Sequence, residues 1–159
     1  GGKIRKNPKG LEAVVAKEIT INEEGIKHPM YVGKENVFDA FCWHYDDTET
    51  LPSNAKILAS NNKSEVQSVT FDIDDSNIWA VQYHPEFDPE WIAGLMKQRE
   101  DILLKERAFN EKKQFDEELN FFLNYKNLND IFKLNKYKDL INNRKHTLEL
   151  ANWVSNLKN

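Results

Sequence analysis

Residues 78–83 (IWAVQY) constrain the fold more than any other segment, because they are apolar at nearly every position. A strand with one face in water alternates apolar and polar residues, whereas a strand covered on both faces is mostly apolar. We therefore predict a buried strand here, covered on both sides of a sheet. The segment runs directly into His84, Pro85 and Glu86, so two titratable side chains follow the carboxyl end of this strand.

The sequence pattern changes after Phe87, which suggests two regions. Before it, short apolar segments alternate with polar turns, as in a strand-rich α/β region. The predicted strands are residues 11–21, 38–43, 56–60 and 65–73. After it, Asp88, Pro89 and Glu90 have the residue types of a helix start. We predict an α/β fold with a partial three-layer sheet over residues 1–108, and an amphipathic helical tail over residues 109–159.

The tail is predicted to contain two to four helices that pack against the first region or against a partner. Apolar residues recur in it at helical spacing. They fall into three groups: Phe115, Leu119 and Phe122; Ile131, Phe132, Leu134 and Tyr137; and Leu148, Leu150, Trp153, Val154 and Leu157. Because the polar positions mix both signs of charge, a role at a membrane surface is disfavoured.

Composition excludes several classes of protein. Hydrophobic residues make up 40% of the chain and the formal net charge is −4, which indicates a folded domain and does not suggest nucleic-acid binding. No apolar stretch approaches the roughly 20 residues needed to cross a bilayer. A single cysteine, Cys42, excludes an internal disulfide and fits a reducing compartment, so we predict a cytoplasmic protein. We expect neither a metal nor a cofactor.

His84 and Glu86 are the candidate catalytic residues. In open α/β sheets, ligands gather just beyond the carboxyl ends of the strands. A histidine there can act as a general base, and a nearby carboxylate can hold its tautomer. The alternative is a solvated or hydrogen-bonded surface histidine with an acidic neighbour, and these two residues alone favour that alternative.

Several further segments resemble the class I glutamine amidotransferases. The closing motif of that family usually reads Gly-Val-Gln-Phe-His-Pro-Glu, and residues 80–86 read AVQYHPE. Residues 43–46 (WHYD), followed by Leu51 and Pro52, resemble the family stretch Trp-His-Gly-Asp…Leu-Pro. Residues 10–30 are similar to GMP-synthase-like members. The resemblance covers roughly residues 1–100 and implies the flavodoxin-like sheet of this family.

The resemblance implies a glutamine-hydrolysing site. Such enzymes hydrolyse the side-chain amide of L-glutamine through a cysteine thioester and pass ammonia to a synthetase domain or subunit. It implies that His84 is the general acid and base and that Glu86 orients it. It also implies that Trp43, Tyr45 and Asp46 lie by the amino-acid end of glutamine and contact it through backbone atoms. Tyr45 stands where the family often has glycine, and it either narrows the pocket or leaves the backbone unchanged.

The nucleophile motif of the family is absent from this sequence. Family members carry the cysteine in Gly-x-Cys-x-Gly, ahead of a Gly-Gly pair that residues 1–2 resemble. Cys42 lies in an apolar segment without adjacent glycines, so we predict a buried thiol of raised pKa rather than a nucleophile. His28 and His146 match no motif and are predicted to have surface or packing roles. His44 is predicted to support the local loop geometry.

Three interpretations follow. The first is the C-terminal part of a glutamine amidotransferase domain whose complete parent releases ammonia from glutamine. The second is a catalytically inactive amidotransferase-like module that binds a partner through its helical tail. The third, an unrelated α/β domain, is disfavoured because several segments agree in order. If the chain begins inside a larger domain, its parallel strands lack neighbours, so we predict that it folds poorly alone and turns over no glutamine.

Overall fold

The structure, a computed structural model, describes residues 1–127 and 136–157. Its strands are β1 Lys3–Lys6, β2 Glu12–Ile21, β3 Val37–His44, β4 Asp46–Thr50, β5 Lys56–Ser60, β6 Ser68–Ile73 and β7 Ser76–Val81. Its α-helices are α1 Glu23–Lys27, α2 Pro89–Gln98, α3 Glu100–Lys105, α4 Lys112–Asn124, α5 Asn143–His146 and α6 Leu148–Asn156. Single 3₁₀ turns cover Pro29–Tyr31 and Tyr125–Asn127.

The strands form a curled antiparallel sheet and a small separate one. Five strands pair in the order β3-β2-β5-β6-β7, while β1 pairs only with β4. An isolated antiparallel bridge between Cys42 and Tyr83 brings the chain just after β7 back to β3. The sheet therefore curls, and the segment that carries His84 lies beside the end of β3.

Two expectations about the sheet were wrong. The strand pairs in the described residues are antiparallel, so none of these strands is a parallel strand that has lost its neighbours. In addition, β7 is the last strand in the sheet order, and its residues are exposed or half-buried rather than buried on both faces. Other side chains cover its apolar residues only in part. For example, the ring of His28 packs edge-on against Trp79, with the ring centroids 4.9 Å apart.

Most of the predicted elements are confirmed. Each predicted strand of the first region overlaps an observed one, and β5 has the predicted bounds. The helix start is also confirmed, because the Asp88 carboxylate accepts a hydrogen bond from the backbone N–H of Trp91 at 2.6 Å and so caps α2. Asn22 caps the short helix α1 by accepting from the N–H of Gly25.

Two hydrophobic clusters form the core, and β3 contributes to both. Phe41 belongs to the first cluster, with residues from α2, α3 and α4; Phe38 and Cys42 belong to the second, with residues from β2 and β5. This division follows the alternation of side chains along a strand. Two clusters are buried within the described residues, and the strands there pair in antiparallel fashion. Unpaired parallel strands are therefore no longer a reason to expect the isolated chain to fold poorly. Its stability stays a prediction.

The helical tail packs against the first region, as predicted. Phe115 and Phe122 of α4 are fully buried in the first cluster, beside residues of α2. The expected boundary between residues 108 and 109 stays a prediction. The predicted helix around Ile131, Phe132 and Leu134 lies outside the described residues.

Helix α6 is present where it was predicted, but most of its large apolar side chains are exposed. Leu150, Trp153 and Val154 are 40–45% exposed and Leu148 is half-buried, while Leu157, just after the helix, is 64% exposed. Its one buried residue is Glu149, which is 4% exposed. A buried carboxylate needs partners, and those partners lie in the first region, as described below. Within the described residues, no helix has the length and apolar character that crossing a membrane requires.

Candidate active site

The backbone on both sides of β7's end fixes the position of His84. The N–H of Gln82 donates to the carbonyl of Gln67 at 2.8 Å, and the N–H of His84 donates to the carbonyl of Phe41 at 2.7 Å. Between them, Tyr83 forms the bridge to Cys42. Backbone hydrogen bonds therefore hold His84 against β3, independently of its side-chain contacts.

The imidazole of His84 contacts a carboxylate and an aromatic ring. Its Nδ1 lies 2.7 Å from Oε1 of Glu86, and its ring stacks on Phe87 with centroids 4.0 Å apart and planes 1° from parallel. Phe87 in turn packs on Trp91, at 3.9 Å between centroids, in the first turn of α2. The Asp88 cap thus supports the histidine through two aromatic rings.

This arrangement selects one tautomer of His84. An ionised carboxylate only accepts hydrogen bonds, so Nδ1 carries the proton that points to Glu86. In the neutral ring, Nε2 is then the basic nitrogen. The side chain of His84 is 32% exposed, so an outside group can reach it. The pair has the geometry of a general base with an orienting carboxylate.

An open pocket of about 420 Å³ adjoins His84. Its lining residues are Trp43, Tyr45, His84, Phe87, Trp91, Leu95, Arg99 and Ile102. The pocket is mainly aromatic and aliphatic, and Arg99 supplies a positive charge. Within the described residues, the guanidinium of Arg99 makes no ion pair, so its charge is available to an anionic ligand group.

The structure brings together some of the predicted site residues. Trp43 and Tyr45 line the pocket with His84, and Glu86 reaches His84 by its hydrogen bond. Asp46 is not part of the pocket lining; it begins β4 and pairs with Lys6 of β1. The role of all five residues in binding or catalysis stays a prediction.

A polar network lies behind the turn that carries Tyr45. Nδ1 of His44 donates to the carbonyl of Asp46 at 3.0 Å, and Nε2 lies 2.8 Å from the buried carboxylate of Glu12. Glu12 also accepts from Asn61 and Gln67, each at 2.7 Å. The predicted role of His44 in loop geometry is therefore confirmed.

The charge on Glu12 also affects the ionisation of His44. Burial by itself lowers the pKa of His44, but hydrogen bonds to Glu12 and to the carbonyl of Asp46, with the charges of Glu12 and Asp47, outweigh burial. The net result is a raised pKa. His44 is therefore more readily charged than an ordinary histidine, and its positive charge stabilises the network around Glu12.

Two residues near the site, Arg99 and Glu12, were not predicted. For Arg99 a signal existed, because Trp91, Leu95 and Arg99 recur every four residues and so lie along one helical face. For Glu12 no such signal existed, since it lies 32 residues from His44 in the sequence.

Cys42 does not share a surface with His84. It is fully buried in the second cluster, whereas Trp43, its neighbour, faces the pocket. Burial, and then the charge of Glu12, raise the pKa of the Cys42 thiol well above its ordinary value. The prediction that this thiol is a buried small hydrophobe is confirmed. Within the described residues, no three His, Cys, Asp or Glu side chains are grouped so that they could hold a metal ion.

Two known proteins are similar to part of this chain. A gamma-glutamyl-L-1-hydroxyisopropylamide hydrolase from Pseudomonas sp. is 29% identical over 98 residues, which are 62% of this chain and 33% of that protein. A glutamine-hydrolysing GMP synthase subunit from Methanosphaera stadtmanae is 29% identical over 76 residues, or 48% of this chain and 38% of that protein. The chain thus spans well under half the length of either relative.

A solved structure of a glutamine amidotransferase shares the fold of this chain. A glutamine amidotransferase from Thermotoga maritima superposes with a TM-score of 0.54 at 19% identity, over 79% of this chain and 54% of that one. The family described as glutamine amidotransferase class-I matches residues 1–93, which include the pocket strand β3 and the segment from Tyr83 to Trp91. Because this match covers 93 of the 159 residues, the chain belongs to the class-I glutamine amidotransferase family.

Proposed function

We propose that this chain supplies the proton-transfer part of an active site that hydrolyses γ-glutamyl amides, with L-glutamine as the substrate. The observation that supports it best is the 2.7 Å contact between Nδ1 of His84 and the Glu86 carboxylate, beside an open pocket. With Nδ1 engaged, Nε2 takes the proton of a thiol nucleophile and later gives it to the departing amine.

The pocket has the chemistry that a γ-glutamyl group requires. The Arg99 guanidinium suits the α-carboxylate of the substrate, and the rings of Trp43 and Phe87 suit its methylene groups. Tyr45 and the backbone of Asp46 are proposed to contact the amino-acid end. The names of the two relatives specify different amides, a substituted γ-glutamyl amide and glutamine itself. Both share the γ-glutamyl amide bond.

The nucleophile is proposed to come from residues outside this sequence, in a Gly-x-Cys-x-Gly motif. The thiolate attacks the amide carbon and forms a C–S bond; the C–N bond then breaks as His84 protonates the leaving ammonia. Water, deprotonated by His84, cleaves the thioester, which releases glutamate and restores the thiol. We propose that the ammonia passes to a synthetase domain or subunit, since one relative is named as a subunit of a glutamine-hydrolysing GMP synthase.

The test uses the polypeptide that the complete gene encodes, and it measures glutamate release from glutamine. His84→Ala is expected to lower kcat by about 10²–10⁴-fold, the usual contribution of a general acid–base group. His28→Ala is the matched control, because His28 packs on Trp79 away from the pocket and its loss should leave kcat unchanged. Equal turnover by the two variants would refute the role of His84.

The second candidate function is partner binding without catalysis. The exposed apolar side chains of α6, such as Trp153 and Val154, favour it. The sequence upstream of Gly1 in the gene separates the two candidates. A Gly-x-Cys-x-Gly motif there would support hydrolysis, whereas a start codon at or near Gly1, together with no glutamine turnover, would support the binding module.

A further inference from the structure

Tyr83 differs from the usual family motif by one hydroxyl group, and that hydroxyl is buried and bound. The motif usually has phenylalanine directly before its histidine. Tyr83 is 2% exposed, and its hydroxyl donates to Oε1 of Glu149 at 2.8 Å. The hydroxyl oxygens of Tyr83 and Tyr31 are 3.0 Å apart, and Tyr31 donates to Ser68 at 2.6 Å. A phenylalanine at this position would fill the same space without the bond to Glu149 or the hydroxyl contact with Tyr31.

The acceptor of this hydrogen bond is the one buried residue of α6. Glu149 pairs with Lys34, whose Nζ lies 2.9 Å from Oε1 and 3.0 Å from Oε2. Both side chains are almost completely buried, at 5% exposure for Lys34 and 4% for Glu149. Lys34 also donates to the carbonyl of Lys145 and lies over the ring of Phe38. Every charge in this cluster therefore has partners, which makes its geometry well defined.

Helix α6 is held in place by a second set of bonds. The side-chain amide of Asn152 donates to the carbonyls of Met30 and Val32, at 2.9 and 3.0 Å. These carbonyls belong to the turn that also carries Tyr31. Glu149 thus approaches Tyr83 from a helix that is fixed on the first region at two points along its length.

The position of Tyr83 determines that of His84. Consecutive side chains of an extended segment point to opposite sides, so Tyr83 enters the second cluster while His84 lines the pocket. The backbone between them is fixed to β3 by the bridge to Cys42 and by the N–H of His84. Rotation or displacement of the Tyr83 ring therefore shifts the backbone that carries the imidazole of His84.

We propose that α6 positions His84 through Glu149 and Tyr83, so that the C-terminal helix is part of the active-site apparatus. Glu149 is a positioning residue that acts through another side chain and touches no substrate. The hydroxyl of Tyr83 fixes the ring in one orientation, because a hydrogen bond to a charged acceptor in a dry site is strong and directional. The inference rests on the proposed function for the role of His84, but its test does not require turnover.

The test records nitrogen-15 spectra of the histidine rings in the full 159-residue chain. In the unmodified protein, His84 is expected to show the shifts of the Nδ1-protonated tautomer, as its bond to Glu86 requires. Tyr83→Phe and Glu149→Gln are expected to move both nitrogen signals of His84 toward a mixture of tautomers. The signals of His28 and His44, which lie outside the cluster, should stay in place.

Tyr125→Phe is the matched control. It also removes a tyrosine hydroxyl that binds a glutamate, Glu90, but at an exposed site outside the cluster of Tyr83 and Glu149. The proposal is overturned if Tyr83→Phe and Glu149→Gln leave the His84 signals as they are in Tyr125→Phe. It is equally overturned if all four histidines lose their native signals together, because the cluster then supports only the fold. Unimpaired turnover by His84→Ala would instead refute the proposed function and leave these spectra interpretable.

Discussion

Replacing Lys34 with methionine is expected to destabilise the protein strongly. The ammonium lies 2.9 Å from Glu149, and the two side chains are 5% and 4% exposed. Removing one partner of a buried ion pair leaves the other charge unpaired, which costs about 3–5 kcal/mol. Because Tyr83 still donates to Glu149 in the variant, we expect the lower end of this range, about 3 kcal/mol.

Urea unfolding followed by circular dichroism measures this loss. With a slope of about 2 kcal/mol per molar urea, a loss of about 3 kcal/mol lowers the midpoint by roughly 1.5 M. Lys56→Met is the control, because Lys56 and Glu24 form an ion pair whose side chains are 63% and 51% exposed. Exposed pairs contribute about 0–1 kcal/mol, so its midpoint should move by less than roughly 0.5 M.

The double variant Lys34→Met with Glu149→Met separates lost pairing from lost packing. Replacing both charges with apolar groups of similar volume is often neutral or stabilising, so most of the midpoint should return. If Lys34→Met lowers the midpoint no further than Lys56→Met does, the two charges are not desolvated as the structure shows, and the reasoning is wrong.

Three further predictions concern the network, the thiol and the pocket. The pKa of His44 is raised above its ordinary value of 6.5, so its pairing with Glu12 stabilises fully below that value and is lost as pH rises through the folded-state pKa. Glu12→Gln should therefore weaken the pH dependence of the free energy of unfolding, measured with urea, in that window. An unchanged pH dependence would contradict the pairing. Cys42 should resist a thiol reagent in the native protein and react only on unfolding, since it is fully buried; rapid native labelling would count against this burial. Arg99→Ala should raise KM for glutamine in the complete enzyme with little change in kcat, and an unchanged KM would remove Arg99 from substrate binding.

The closing segment was readable from the sequence because each of its signals is local. An apolar run, the motif around His84 and the cap at Asp88 occupy consecutive positions, and each determines backbone geometry within a few residues. The helices after it followed from periodicity for the same reason. What periodicity could not determine was the place of β7 in the sheet, since an apolar strand at the edge of a curled sheet reads like a central one.

The sequence analysis did not predict the small sheet, because the charges on each of its two strands are matched only by those on the other strand. Strand β1 is basic and β4 is acidic, with Arg5 opposite Asp47 and Lys6 opposite Asp46. Neither has the apolar alternation that indicates a strand. Opposite charges across a pair stabilise it, but the partners lie some forty positions apart, so no local pattern shows it.

The face of α6 that packs on the first region could not be read from the sequence, for a related reason. Its apolar spacing correctly indicated a helix, but the orientation of the helix depends on the buried ion pair with Lys34 and on the bonds of Asn152, whose partners lie over a hundred residues away. A buried carboxylate with full partners outweighs several half-exposed apolar side chains in choosing the face that packs. The pattern of one helix contains no information about such a partner.

Three consecutive residues connect the candidate site to the rest of the protein. Gln82 donates to the carbonyl of Val66 at 2.6 Å, Tyr83 binds α6 and His84 binds Glu86. Because side chains alternate across this segment, each one fixes the backbone for the next. A substitution at Glu149 therefore affects the pocket, although Glu149 does not contact it. A substitution at the exposed Trp153 of the same helix has no such chain of contacts to the pocket. Helix α6 acts on the site through its buried residue Glu149, and its apolar face is left for other contacts.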